Sequence, residues 1–423
     1  MDASADGEAS VIVVGGGIAG LVVARDLAVA GSSVIVLEST DRLGGQLAAI
    51  SLDGVTVDSG AESFATRGGA VASLIADLGL DAEIVTAART PAWVVAAGRP
   101  ATPLPAAGIL GIPMDPMAPD VVAAIGRLAA WRARLDSILP LGPLDRFETV
   151  GQLVRGRMGA GVLDRLVAPV VRGVYSTTPD ALPLDIAAPE LRAALGRTGS
   201  LAAAVGDLRA AAPAGSQVAG LRGGINRLIA ELAAQARAHG ADLRRGSRVV
   251  GVTRDSVTLE DGSRLAGRVV VAAPGVASKA RRTREITVAL ALVEAEGLDR
   301  APRGTGALVA ERVPGVTARA FTHVSAKWPG WTEQLPPHQH LVRLSYDAPL
   351  ENAAEIVLAD LRGIAGVDRI RLRELATQRW VRTLESEPAG DILVVGEAAS
   401  RTGLAAIVPD ARALAASLVE VVA

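Results

Sequence analysis

Residues 10–38 constrain this chain more than any other stretch. A short apolar run, SVIVV at 10–14, leads into GGGIAG, where Gly15, Gly17 and Gly20 stand in G-x-G-x-x-G spacing. The next residues, IAGLVVARDLAVA at 18–30, repeat their apolar positions at helical spacing, and Gly31 follows as a helix-ending glycine. A second apolar run, SVIVLE at 33–38, ends in Glu38. Runs this short and this apolar read as parallel strands buried on both faces. Each glycine has its own physical role. Gly15 permits the strand-to-helix turn, Gly17 lets backbone approach a pyrophosphate, and Gly20 lets helix and strand pack closely. The amides of Ile18 and Ala19 open the helix, where free N–H groups and the positive dipole end attract phosphate. Glu38 lies eighteen residues past Gly20, placed to accept hydrogen bonds from ribose hydroxyls. A carboxylate there repels a 2′-phosphate, which argues against NADP. The stretch predicts a dinucleotide-binding βαβ unit.

The rest of the chain bounds the chemistry. At 423 residues, half of them hydrophobic, it is too long for one ordinary core, so more than one domain is expected. A formal net charge of -2 implies no nucleic-acid partner. The chain has no cysteine, which excludes disulfides, cysteine-ligated metals and a dithiol redox pair. Redox chemistry must then reside in a bound cofactor. His338 and His340, in PPHQH, read as a solvated loop, and no metal site is expected. The opening MDASADGEAS is acidic and polar, unlike a secretory leader, and no apolar run approaches the ~20 residues of a spanning helix. The expected location is cytoplasmic. Residues 120–139 carry Val121, Ile125, Leu128, Leu135 and Leu139 at helical spacing, with Arg127, Arg132 and Arg134. We expect one helix packed on its own domain, with peripheral membrane contact as the alternative.

Just past Glu38 comes STDRLGGQL, in which Arg42, Gly44 and Gly45 resemble the R-x-G-G element of glutathione-reductase-like flavoproteins, especially the amine oxidase and protoporphyrinogen oxidase superfamily. At the other end, DILVVG at 391–396, then Glu397, then Gly403 and Leu404 opening a long apolar helix, resemble the superfamily's C-terminal flavin motif. The resemblance implies FAD as cofactor. It places Arg42, Gly44 and Gly45 around the phosphates and ribityl chain, Glu397 on the ribityl chain, and the helix start at Gly403 and Leu404 by the flavin. A positive helix end there would stabilise the anionic reduced ring. SRVVGVTRDSVTLEDGSRLAGRVVVAAP at 247–274 reads as a hairpin and a buried strand, and the resemblance brings the backbone near Val250 to the adenine.

Five further segments are similar to the bacterial protoporphyrinogen and coproporphyrinogen oxidases. They are GAESFATR at 60–67, the proline-rich GRPATPLPAAGILGIPMD at 98–115, GVYSTTPDAL at 173–182, GGINRL at 223–228 and SAKWP at 325–329. By that likeness Arg67 faces a substrate propionate, which an always-charged guanidinium can grip with two parallel bonds. Gly173 brings backbone to the macrocycle, with Tyr175 beside it. Lys327 lies either near the flavin or beside Trp328. Between Trp380 and Gly396 the chain is shorter than the family pattern.

The implied fold is α/β: a Rossmann-type, glutathione-reductase-like FAD-binding domain with a mixed α+β substrate-binding domain and a helical insertion. The expected boundaries give FAD-binding parts at 1–99, 215–275 and 386–423, a helical insertion at 100–214 and a substrate-binding part at 276–385. The implied activity is six-electron oxidation of a porphyrinogen, with dioxygen as final acceptor and hydrogen peroxide released. No catalytic residue is assigned, because the flavin carries the chemistry. The Ala- and Arg-rich, Lys-poor composition has an actinobacterial look, which favours coproporphyrinogen III. Protoporphyrinogen, another flavin amine oxidase-like activity and a non-catalytic FAD- or porphyrin-binding role stay open, as does the oligomeric state.

Overall fold

The computed structural model describes residues 11–66, 68–105, 108–175, 177–211, 218–328 and 330–422. The chain divides into two compact units, the first from residues 1–87, 216–286 and 378–423, the second from 88–215 and 287–377. The first border falls at 87 where 99 was expected, and those expected at 275 and 386 differ because the chain leaves the first unit inside a long strand, Ser278–Glu294, and returns to it inside another, Arg371–Pro388. The stretch expected as insertion and residues 287–377 of the expected substrate part fall in one compact unit, while 276–286 and 378–385 belong to the first.

The first unit opens with β1 (Val11–Val14), α1 (Ile18–Val29) and β2 (Val34–Leu37), followed much later by α2 (Arg227–Ala238), β3 (Asp242–Arg244), β4 (Arg268–Val271), β5 (Leu393–Val394) and α3 (Leu404–Val422). The strands form one parallel sheet in the order β3-β2-β1-β4-β5. Successive side chains point to opposite faces. Val11 and Val13 therefore join α1, α2 and α3 in one core. Ile12 and Val14 meet Val269, Val271 and Val257 in a second core, on the other face. That second face is covered by a three-stranded antiparallel sheet of Val249–Val252, Ser256–Leu259 and Arg264–Ala266, turning at the EDGS segment. Burial on both faces is why the central strands β1 and β2 are uninterrupted Val, Ile and Leu, each stabilising by about 1.5–3 kcal/mol when fully buried, whereas the edge strand β3 reads DLR and is only partly covered.

The second unit holds most of a seven-stranded sheet in the order 371–388, 278–294, 339–346, 320–323, 306–309, 93–95 and 102–103. Helix Ala353–Ala365 packs Val357, Leu361 and Ile364 against Ala289, Ala291, Phe321 and Leu344. The helical part has its own core, running from Ile112 to Val205. Arg157 is buried there and donates to Asp136 at 2.6 Å and to the carbonyls of Leu139, Pro140 and Gly199.

Two expectations are corrected. Residues 120–139 do not form one helix, because Gly126, at φ +84° and ψ 157°, separates Pro119–Ile125 from Arg127–Arg134. The first piece buries Val121 and Ile125 of the apolar stripe; Leu128 is 89% and Leu135 43% exposed, and the second piece joins the helical core through Ala130 and Ala133 instead. Nor is His340 in a solvated loop. It lies in strand Gln339–Tyr346, with Nδ1 3.1 Å from Nε2 of the buried His323 and Nε2 3.1 Å from Asp299.

Candidate cofactor site

The glycine turn is built by close approach. Gly15, at φ +106°, donates its N–H to the Leu37 carbonyl at 2.8 Å. A Cβ on Gly20 would stand 2.0 Å from the Gly15 oxygen, so any side chain would push α1 off its turn. A Cβ on Gly17 would meet only the Gly45 Cα, at 3.9 Å, which leaves this backbone open to an approaching group. No side chain caps α1 at Gly17. The amides of Ile18, Ala19 and Gly20 lie in its first turn, where no intrahelical acceptor exists.

The R-x-G-G loop lies directly on this turn. Gly44 donates to the Gly16 carbonyl at 2.8 Å, and Gly17 and Gly44 form a parallel bridge. Arg42 donates to the Gly45 carbonyl at 3.1 Å, and its guanidinium sits 5.7 Å from the centre of the Trp380 ring. Glu38 leaves the end of β2 and turns back to the same place. One carboxylate oxygen accepts the Gly16 N–H at 2.9 Å, and the other accepts the backbone N–H and hydroxyl of Thr40, each at 2.9 Å. The strip before Val250 passes Glu38, since Ser247 donates to the Glu38 carbonyl at 2.8 Å. Val250 itself sits at a register shift between Val249 and Gly251, with an exposed side chain.

The C-terminal return closes the cradle. Glu397 follows β5, and α3 begins at Leu404, directly after Gly403. Gln46, from the R-x-G-G loop, donates to Glu397 at 2.9 Å across 351 residues of sequence. Arg382 reaches the same carboxylate at 3.4 Å, and the Thr383 N–H donates to it at 3.4 Å. Burial pushes the Glu397 carboxyl above its ordinary range, against the pull of Arg382, Thr383 and Gln46. Glycines 15, 17, 20, 44 and 45 thus lie with Glu38, Arg42 and Glu397 in one unit.

Several groups in this cradle carry no signal along the sequence. Asp58 is buried and accepts the N–H groups of Ile225 and Asn226, each at 2.9 Å, which fixes the GGIN turn ahead of α2. Burial raises its carboxyl above the ordinary value. The neighbouring Ser59 accepts the Trp380 indole N–H through its carbonyl at 2.9 Å. Its own hydroxyl is buried with no hydrogen-bond partner among the described residues, so a polar group stands ready for a ligand. Gln46 and Ser59 each adjoin a motif, which could have pointed to them; Arg382, in a charged strand, has no comparable marker.

Of the expected substrate residues, Gly173 and Tyr175 belong to the second unit. Gly173, in helix Ala168–Tyr175 of the second unit, faces strand Gly306–Val309: a Cβ there would be 2.4 Å from Leu308 Cδ2. Tyr175 donates to the Ala187 carbonyl at 3.3 Å and packs against the helical core. Lys327 lies with its ammonium 4.9 Å from the Trp328 ring centre. Arg67 lies outside the described residues.

The flavin containing amine oxidoreductase profile matches residues 18–411. The chain belongs to this family. Among relatives, it is 32% identical over 311 residues to the coproporphyrinogen III oxidase of Propionibacterium freudenreichii subsp. freudenreichii, a match covering 64% of this chain and 58% of that enzyme. It is 30% identical over 424 residues to the coproporphyrinogen III oxidase of Mycobacterium bovis, covering 92% of this chain and 89% of the relative. In structure it is similar to an Exiguobacterium sp. 255-15 protein assigned as a protoporphyrinogen oxidase, with a TM-score of 0.81, 22% identity, and coverage of 98% and 100% of the two chains. The α/β fold with a Rossmann-type unit is that of this family. Its cofactor is FAD, a dinucleotide, in keeping with the G-x-G-x-x-G turn that opens α1.

Proposed function

We propose that the chain is an FAD-dependent oxidase that converts coproporphyrinogen III to coproporphyrin III. Six electrons and six protons leave the substrate, and three molecules of dioxygen take them up as three of hydrogen peroxide. The observation that carries this reading is the near end-to-end match to a coproporphyrinogen III oxidase, 92% of this chain and 89% of that one, in a chain whose flavin cradle is built. Bound flavin supplies the two-electron acceptor that a chain without cysteine lacks. The residues do the holding. The turn at Gly15, Gly17 and Gly20, with the amides of Ile18 and Ala19, takes the pyrophosphate; Glu38 takes the adenosine ribose; the backbone at Val250 flanks the adenine. Arg42, Gly44 and Gly45 wrap the phosphates, Glu397 takes the ribityl chain, and the α3 start at Gly403 and Leu404 points at the ring. Arg67 pairs with a propionate, and Gly173 and Tyr175 line the macrocycle.

The test is porphyrin fluorescence over time, in air, with FAD-loaded protein and coproporphyrinogen III beside protoporphyrinogen IX, a no-enzyme control and Arg67→Ala. A rise that needs FAD, is faster with coproporphyrinogen III and is weakened in the variant supports the reading. A rise confined to protoporphyrinogen IX moves the assignment to that substrate. No rise above autoxidation in flavin-loaded protein ends it.

We also propose peripheral membrane contact through the helical part. Leu128, Trp131 and Ile138 are exposed, flanked by exposed Arg127 and Arg134. Among the described residues no helix is long and apolar enough to cross a membrane. Co-sedimentation with anionic vesicles that is lost in Leu128→Ser/Ile138→Ser supports this contact, and equal sedimentation of the two proteins overturns it.

A further inference from the structure

We infer that Arg382 is a positioning residue for the cofactor, which fixes the charge and direction of the Glu397 carboxylate inside the flavin cradle. The inference rests on the proposal that Glu397 meets the ribityl chain. Its starting point is an alternation. In strand Arg371–Pro388, Val381 is exposed while Trp380 and Arg382 are half-buried, as side chains two apart on one strand face should be. On that face Trp380 donates to the Ser59 carbonyl and Arg382 reaches Glu397. Nearby arginines are engaged differently. Arg281, Arg282 and Arg379 each pair with a glutamate on the adjoining long strand, namely Glu387, Glu385 and Glu285. Those pairs are open to solvent, whereas the side chains of Arg382 and Glu397 keep only 22% and 11% of their exposure.

Among the described residues, the groups that hydrogen-bond to Glu397 come from two segments. Arg382 comes from the long strand, with the Thr383 N–H beside it, and Gln46 comes from the R-x-G-G loop. From α3, Asp410 takes the Gly396 N–H at 3.3 Å and pairs with Arg401 at 3.4 Å, so its charge is already answered. Arg382 is thus the cation set against a carboxyl that burial pushes above its ordinary range. The distinction matters for a ligand. An ionised carboxylate accepts a hydroxyl hydrogen bond roughly twice as strongly as a neutral group does. Arg382 need not touch the flavin to act; it keeps its neighbour in the form that does.

The experiment measures FAD affinity of the full-length apo-protein by quenching of flavin fluorescence between pH 6 and pH 8, with thermal unfolding of each apo-protein as the check on folding. In the parent protein the dissociation constant should change by less than about twofold across this range. In Arg382→Gln it should rise about tenfold from pH 8 to pH 6, as expected when one interacting carboxyl is no longer held ionised. Arg382→Lys should restore the flat profile, because any cation at that place serves. Arg382→Gln/Glu397→Gln should also be flat, because nothing is left to titrate. If Arg382→Gln weakens binding equally at every pH, or if the double variant keeps the pH dependence, the inference is wrong while the Glu397 reading survives. If Glu397→Gln alone binds FAD as tightly as the parent at every pH, the Glu397 reading fails and the inference falls with it.

Discussion

The two large sheets bury their residues in opposite ways. The five-stranded parallel sheet is made of strands of two to four residues, covered on one face by helices and on the other by a second sheet. The seven-stranded sheet includes strands of 17 and 18 residues. Of these, Ser278–Glu294 is buried in its second half, and Arg371–Pro388 is charged and half-exposed along its length. A short central strand covered on both faces, as β1 and β2 are, must be apolar throughout, and it announces itself. A long strand with one open face can carry RLRELATQRWVRTLESEP and hold its place through pairing and cross-strand charges. Such charges, where exposed, are each worth about 0–1 kcal/mol. Stability and legibility therefore concentrate in the same place.

The strongest test of this contrast is Gly20→Val. Its Cβ would stand 2.0 Å from the Gly15 carbonyl, and the turn has no flexible atom to yield. The expected outcome is a loss of about 4 kcal/mol or more and no retained FAD, read by thermal melting and flavin content after purification. A variant that stays flavin-loaded with an unchanged melting temperature would show that the turn is less tight than its geometry implies. Next comes Ile12→Ala, in the centre of the parallel sheet and fully buried between β1 and the antiparallel layer. It should cost about 2–5 kcal/mol in urea unfolding.

A smaller, pH-dependent effect belongs to the other unit. Burial beside His340 holds the His323 imidazole down to about 3. The unfolded chain then binds more protons than the folded one between about pH 6.5 and pH 3, so stability is complete above that window and falls as pH drops through it. The slope should reach about 1.4 kcal/mol per pH unit. Burial also lowers His340, which adds to the loss with the same sign. Urea midpoints at pH 7, 6, 5 and 4 check this, and His323→Gln should flatten the profile. Smallest is Val381→Ala, exposed on the long strand, which should move stability by no more than about 0.5 kcal/mol. A cost like that of Ile12→Ala would break the contrast between the sheets.

The cradle shows how far the linear sequence reaches. Gly15, Gly17, Gly20 and Glu38 are legible because their geometry is settled by residues within one βαβ unit. Glu397 is legible only through resemblance; its partner Gln46 is marked only by standing next to the R-x-G-G element, and Arg382, in a charged strand, has no marker at all. The helix expected over 120–139 fails for a related reason. Its apolar spacing is real, but Gly126 takes a conformation that ends the helix, and the piece beyond it turns Ala130 and Ala133, not Leu128 and Leu135, to the core.

By itself, then, the sequence determined the parallel βαβ unit, its dinucleotide turn and that any redox chemistry would have to reside in a bound cofactor. These follow from backbone freedom at three glycines, from strands that must be apolar on both faces, and from the absence of cysteine. Only the tertiary structure decided that Gln46, Arg382 and Glu397 would share one hydrogen-bonded cluster, that His323 and His340 would be buried together, and that the chain would change units inside its two longest strands. Those outcomes depend on contacts between segments tens to hundreds of residues apart, and such contacts leave no periodic trace in the residues that make them.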